Sequence, residues 1–492
     1  MSGIKAKVPC SWQLVKLGDF VQSQKGKKSK NEAKEKSSSH PIPYVDIQAF
    51  EEKIVRTWTD GVGCHPCYES DFLMVWDGSR SGLVGKGVNG ALGSTLVRIN
   101  FPMMVNDYAY YFLQSKYQQI NTRAKGSGTP HVDPDLLWNY DFPIPPLAEQ
   151  HRIVQKIEEL FSELDKGVEN LKLAQEQLKV YRQALLKDAF EGKLTTQWRE
   201  KTLGNIESAF ELKKRIRMEA IDLYQREFSL WKSSAKVRRK PRPLKFPPEL
   251  ALEERQKLCN LPDCWSFEKL GELFKVYVGS TPSRKSPDFW GGSIPWISSG
   301  EVSFCLINDT KEKITQRGYE SISAHIHPPG TLMLAMIGEG KTRGQVAILG
   351  VEASHNQNTA AIRVAGSGVP PLYLYHYLTY CYENTRKLGS GNNQKALNMD
   401  RVENLIFPLT SIREMEEVVQ IIDQKLSIIE VFDGNIKTAI NCSESLRQSI
   451  LQKAFSGQLV RQDPNDEPAS ELLSRIKAEV AKSKPIKKKK AA

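Results

Sequence analysis

The sequence predicts an α+β protein: two mixed α/β globules separated by a pair of long antiparallel coiled-coil helices, the whole an internal pseudo-two-fold repeat. Three observations predict it. Apolar residues recur every seven positions at Ile157, Leu164, Leu171, Leu178 and Leu185, with a second row at Val154, Phe161, Val168, Ala174 and Tyr181. That spacing is a seam along one long helix over residues 147–195. The same stretch returns 265 residues later without a gap, placing Ile422, Ile429, Ile436 and Ile450 under Ile157, Leu164, Leu171 and Leu185. Each helix is preceded by a block rich in short strand-like runs and glycine turns, which is globular in character.

The elements follow in order. Residues 1–146 form the first block. Its opening, PCSWQLVKLGDF, leads into a Lys/Ser-rich stretch, residues 25–40, expected as a mobile polar loop. IPYVDI, residues 42–47, reads as a buried strand, and residues 72–99 as strands alternating with glycine turns. Residues 107–123 have the pattern of an amphipathic helix. Pro145 and Pro146 stand just before the first long helix, a normal start signal. Residues 147–258 comprise that helix and a connector, helical at first, then basic and proline-rich.

Residues 259–408 repeat the first block, with Trp265 and Gly271 each 253 positions after Trp12 and Gly18. The offset then grows to 265, so the second block carries about a dozen extra residues, expected in loops. Residues 409–492 are the second long helix and a tail: a short helix, then a lysine run.

Composition narrows the function. Lys and Arg exceed Asp and Glu by 12 in 492 residues, which suits nucleic acid or an acidic partner without establishing either. Eight scattered cysteines and no signal peptide point to reduced thiols in a cytoplasm. No apolar run approaches the roughly 18–20 residues of a membrane span.

The candidate contact residues lie on turns. The glycine hairpins place Arg80 and Lys86 in the first block, and Lys341 and Arg343 in the second, where cations meet phosphates. The turn GSGTPH holds Thr129 and His131. Its counterpart GSGNNQK holds Asn393, Gln394 and Lys395, which suit base edges. For each the plain alternative is a solvated turn. If Asn393 and Gln394 read bases, replacing both by Ala weakens specific binding and spares nonspecific binding.

Several chemistries are disfavoured. IGEGKTRG at residues 337–344 resembles a phosphate loop, but Ala335 stands where the first glycine belongs, and a strand-like run follows. The CxxC of Cys64 and Cys67 has no second pair at zinc spacing. No catalytic or metal-ligand constellation recurs in both blocks, and the Asn/Asp-Pro-Pro-aromatic tetrapeptide of amino-methyltransferases is absent.

With these residues in view, nearly the whole chain resembles the specificity (S) subunit of type I restriction-modification enzymes. The resemblance rests on the W-x-x-x-x-L-G opening of each block and on PIPPLAEQHRIVQKIE leading into the first long helix. It also rests on the exits RQALLKDAFEGKLT and RQSILQKAFSGQLV and on the tail DPNDEPASELLSRI. It implies two target recognition domains, 1–146 and 259–408, each reading half of a bipartite site on double-stranded DNA. It implies that the long helices set the gap between half-sites and dock two modification (M) subunits, with restriction (R) subunits in the larger complex. S-adenosylmethionine, ATP and Mg would then belong to those partners and no cofactor to this chain, which is itself not an enzyme. IREMEEVV departs from LAEQHRIV at the start of the second helix, so the two docking surfaces need not be equal. The alternative from another class is a coiled-coil adaptor joining two protein-binding globules.

Overall fold

A computed structural model describes residues 8–126, 128–202, 204, 206–233, 241, 243–338, 340–388 and 396–483. The chain divides into two compact units, residues 1–173 with 436–492, and residues 174–435. Both divisions fall inside the long helices, Leu147–Phe190 and Ile412–Phe455, each of 44 residues. At roughly 1.5 Å per residue each helix is about 66 Å long.

In the first unit the opening strand Gln13–Lys16 pairs antiparallel with Asp141–Ile144, the strand that feeds the long helix. Beside this ribbon an antiparallel sheet runs Gln22–Lys25, Leu96–Asn100, Phe72–Val75, Val84–Lys86. A further sheet of short strands contains Glu32–Ala33, Trp58–Thr59, Ile42–Val45, Gly90–Leu92 and Pro66–Cys67. The expected polar loop at residues 25–40 therefore contains a paired strand, and Ser29 within it is buried. The predicted amphipathic helix is Asn106–Thr122, which buries Tyr108, Tyr111 and Phe112.

The second unit repeats the plan. Ser266–Lys269 pairs with Ile406–Leu409, and a sheet runs Lys275–Val278, Thr359–Arg363, Leu332–Ala335, Val346–Leu349. Its extra residues add a strand, Cys305–Ile307, parallel to Val346–Leu349. The repeat extends to single bonds. Trp12 Nε1 donates to Glu149 Oε2 at 3.0 Å, and Trp265 Nε1 to Glu414 Oε2 at 2.9 Å. Tyr108 Oη donates to the carbonyl of Pro143 at 2.9 Å, and Tyr373 Oη to that of Pro408 at 3.1 Å. Both glutamates are fully buried, so each carboxylate requires these donors.

One repeated element escapes the offset of 265. The connector helix Ala209–Ser233 and the tail helix Ala469–Ser483 are copies, 260 residues apart: ESAFELKKRI against EPASELLSRI. Ala209 N donates to the carbonyl of Cys264, and Ala469 N to that of Ser11, the matching position. Leu212 and Ile216 are buried on the second block, Leu472 and Ile476 on the first. Arg215 pairs with Glu207, and Arg475 with Glu467. Each block is thus closed by a helix from the opposite end of a repeat. The connector helix also buries Lys213 between Glu268 and Glu272, at 2.5 Å from each. Burial lowers the Lys213 pKa, but the two carboxylates outweigh it and the ammonium is held above its ordinary range.

The long helices pair start to end within each unit. In the first, Phe161 and Leu164 share a core with Ile450 and Leu451, and Arg447 bonds Asp165 while its guanidinium lies 4.7 Å from the Phe161 ring centre. In the second, Leu185 packs in one core with Ile422, Leu426 and Ile429, and Gln175 donates to Asp433 at 2.7 Å. Of the seam residues, Ile157, Leu185, Ile422 and Ile429 are buried. Leu164, Leu171, Leu178, Ile436 and Ile450 are half-buried. Tyr181, expected in the second row, is 49% exposed. A straight helix drifts by roughly 20° per heptad against a seven-residue repeat, which carries a distal row off the seam. Under Leu178 the second helix has Ser443, whose hydroxyl is satisfied by the Ile440 carbonyl.

Candidate nucleic-acid interface

The residues nominated for DNA contact come from separate turns, and in the first unit three turns are tied together around Asp77. The strand pair Phe72–Val75 and Val84–Lys86 ends in the turn carrying Ser79, Arg80 and Ser81. Gly78 N donates to the carbonyl of Pro130, and Val132 N to that of Trp76, which docks the Gly126–His131 turn. His131 forms isolated bridges to both Asp77 and Lys125. Lys25, at the end of its strand, pairs with Asp77 at 2.9 Å. Gly26 then runs so close to the Leu92–Gly93 turn that a Cβ would meet the Gly93 oxygen at 2.1 Å. Gly126 has φ +104°, open to glycine and strained for other residues.

The second unit has the same docking. Leu397 N donates to the carbonyl of Met336, and Met336 N to that of Asn358. Gly279 approaches the His355 oxygen at 2.0 Å by the same measure. Residues 335–345 close as a hairpin, with Gly344 N donating to the Ala335 carbonyl and Ala335 N to that of Gln345. The strand Val346–Leu349 follows, so the phosphate-loop-like GKT leads into no helix.

The nominated residues separate. Arg80 is exposed and pairs with Glu51 at 2.5 Å, on a turn held by the Asn121 amide through the carbonyls of Ser79 and Ser81. Lys86 lies at the opposite end of its strand pair, opposite Phe72, and pairs with Asp107 at 3.1 Å. It does not join the cluster, because an antiparallel hairpin sends its two ends apart. Thr129 is exposed on the docked turn, and His131 is half-buried with its backbone committed to the bridges. Lys341 is exposed, but Arg343 is 8% exposed. The hairpin folds it inward, away from the exposed position expected of a surface cation. Asn393, Gln394 and Lys395 lie outside the described residues.

A buried relay braces the second unit's loops. Arg363 Nη2 donates to His327 Nδ1 at 3.2 Å, so the His327 proton sits on Nε2 and faces His355 Nε2 at 3.2 Å. His355 Nδ1 then donates to the Asn356 carbonyl at 3.1 Å. This requires both rings neutral. Burial first, then the neighbouring imidazole and guanidinium, push His327 down to about 2. Burial pushes His355 down to about 4. Beside the relay Ser280 N bonds the His355 carbonyl, and Thr281 Oγ1 donates to Gln357 Oε1 at 2.6 Å. Arg284 lies 3.7 Å over the Trp290 ring and is neutralised by Glu312. Among the described residues no His/Cys/Asp/Glu group is arranged to hold a metal, and no helix is long and apolar enough to cross a membrane.

The loop after Lys25 was legible as a charge run, not as part of the contact cluster. Its signal is the pair Gly26 and Ser29 set among lysines: one lets the backbone approach, and the other points inward to Thr59 at 2.6 Å.

Comparison with known proteins places this arrangement. The family model described as the type I restriction modification DNA specificity domain matches residues 9–173 and 262–441, and the chain belongs to that family. It is 22% identical over 490 residues to the EcoDI specificity subunit of Escherichia coli, across 97% of each chain. It is 29% identical over 214 residues to the MjaVIII specificity subunit of Methanocaldococcus jannaschii, covering 42% of this chain and 49% of that one. The fold is similar to a solved chain from a study of assembly and conformational transition of the type I R-M system. That match has a TM-score of 0.62 at 18% identity and covers 92% of this chain and all of the other. The HsdS subunit from Thermoanaerobacter tengcongensis gives 0.53 at 17% identity, over 93% of this chain and all of that one.

Proposed function

We propose that this chain is the DNA-specificity subunit of a type I restriction-modification system, each unit reading one half of a bipartite, asymmetric site. The observation that carries the reading is the duplication of a whole unit, turn cluster included, on shared long helices. The two clusters differ in sequence, as two different half-sites require.

The long helices fix the gap between half-sites and dock two modification subunits. Apolar side chains on their outer faces support the docking role: Leu173 and Leu446 in the first unit, Val180, Ile428, Val431 and Phe432 in the second, each more than half exposed. S-adenosylmethionine, ATP and Mg belong to the modification and restriction subunits, and this chain works in the cytoplasm as a recognition scaffold without chemistry of its own.

Methylome sequencing of a host with and without the gene tests the reading. A bipartite methylated motif lost with this chain is the expected result. An unchanged methylome, with the partner subunits expressed, favours the adaptor instead.

A further inference from the structure

In the first unit three cations at the turn cluster are already neutralised, while Arg123 beside it is exposed without an ion pair among the described residues. Lys25 pairs with Asp77, Arg80 with Glu51 and Lys125 with Asp133. Lys27, Lys28 and Lys30 differ. All three are exposed, and none makes an ion pair among the described residues. Their loop is fastened at both ends. Gly26 is buried under Gly93, and Ser29 is 6% exposed, with its hydroxyl against Thr59 and the carbonyl of Asn31. Lys27 N also bonds the Leu92 carbonyl. With Ser29 turned inward, the lysines on either side of it remain exposed, directly after the Lys25–Asp77 hub that joins the other two turns.

The matching loop of the second unit, 253 residues on, reads Ser280, Thr281 and Ser283 at these positions. Its Arg284 is covered by Trp290 and Glu312. The indole N–H groups of Trp296 and Trp290 hold the carbonyls of Ser280 and Ser283 at 3.2 Å each. The two loops share a backbone course and differ in charge: the second keeps one exposed, unpaired cation, Lys285, among its described residues, where the first has three.

We propose that Lys27, Lys28 and Lys30 are the main phosphate grip of the interface, supplied by the first unit, while the corresponding loop of the second unit offers Lys285 alone as an exposed, unpaired cation among its described residues. The inference rests on the DNA-reading function proposed above. A buried Ser between exposed lysines presents fixed cations, and fixed cations displace condensed counterions from duplex phosphates. Such contacts add affinity without sequence preference, so they stabilise sliding and docked complexes alike.

The test uses the assembled complex with its modification subunits. Dissociation constants are measured on a duplex carrying the methylated site and on one lacking it, from 50 to 200 mM salt. Replacing Lys27, Lys28 and Lys30 together by Gln lowers the slope of log affinity against log salt by roughly 2–3, at about 0.9 per lost phosphate contact. Both duplexes weaken by similar factors, and the thermal midpoint is unchanged. Introducing Ser280→Lys with Ser283→Lys steepens the slope. A wild-type complex that binds its site while the triple variant keeps the same slope overturns the grip. A wild-type complex with no preference between the duplexes overturns the underlying function instead.

Discussion

Trp12 and Trp265 do the same work in different units: each brings an indole N–H to a buried glutamate at the start of a long helix. In the first unit burial raises the Glu149 pKa, and the Trp12 and Gln462 hydrogen bonds act against it. Trp12→Phe or Trp265→Phe removes a donor and leaves a carboxylate short of a partner. A loss of about 1–3 kcal/mol in unfolding free energy is expected for each, measured by denaturant titration. The histidine relay has the opposite dependence on acid. His327 and His355 are held neutral, with pKa values below the unfolded value of roughly 6.5. The unfolded chain therefore binds more protons in acid. The stability contributed by the relay is complete above pH about 6.5 and declines as pH falls toward about 4, by at most roughly 1.4 kcal/mol per pH unit for each ring. Differential scanning calorimetry from pH 7 to 4.5 should show the second unit losing stability. The double variant His327→Gln/His355→Gln should flatten that limb, and an identical slope in wild type and variant would refute the linkage. Arg363, His325 and Tyr277 surround the relay, and Arg363 adds to the cost of protonation.

At the scale of elements, the closing helices and the long helices predict separate outcomes. Removing residues 469–483 strips Leu472, Leu473 and Ile476 from the first unit's core. Limited proteolysis should then attack the first block and spare the second, whose cover is Ala209–Ser233. Equal protection of both blocks would mean the tail helix is dispensable. For the long helices, inserting one heptad after Leu171 and another after Ile436 keeps the seam in register and adds about 10 Å. The preferred gap between half-sites should grow by roughly three base pairs at about 3.4 Å each, read from the methylated motif. The helices were legible because a heptad is a local, repeated signal. The strands flanking them, Gln13–Lys16 and Asp141–Ile144, were not, because their pairing joins segments more than a hundred residues apart. The copied closing helix was not recognised, because its offset of 260 falls between those of the blocks and the long helices and its partners lie hundreds of residues away. The placements of Arg343 and Lys86 were not legible for a related reason. A charged residue beside glycines looks solvated in sequence, and only the closed hairpin turns Arg343 inward and sends Lys86 to the far end of its strand.

For the molecule as a whole, the duplication has a consequence for how the protein is made. The first block is synthesised early, yet the helix that covers its Trp12 core, Ala469–Ser483, is made only after both long helices. At roughly 5–20 residues per second, the apolar groove left for Leu472 and Ile476 stays open on the order of tens of seconds after the block emerges. The second block has no such wait, since its covering helix precedes it in the chain. Ribosomes that stall or terminate early therefore release chains whose first reading head is unfinished and whose apolar strip is open to proteases and chaperones. Synthesis of Ala469–Ser483 is the event that covers the first block, and until then its apolar strip must be tolerated or shielded.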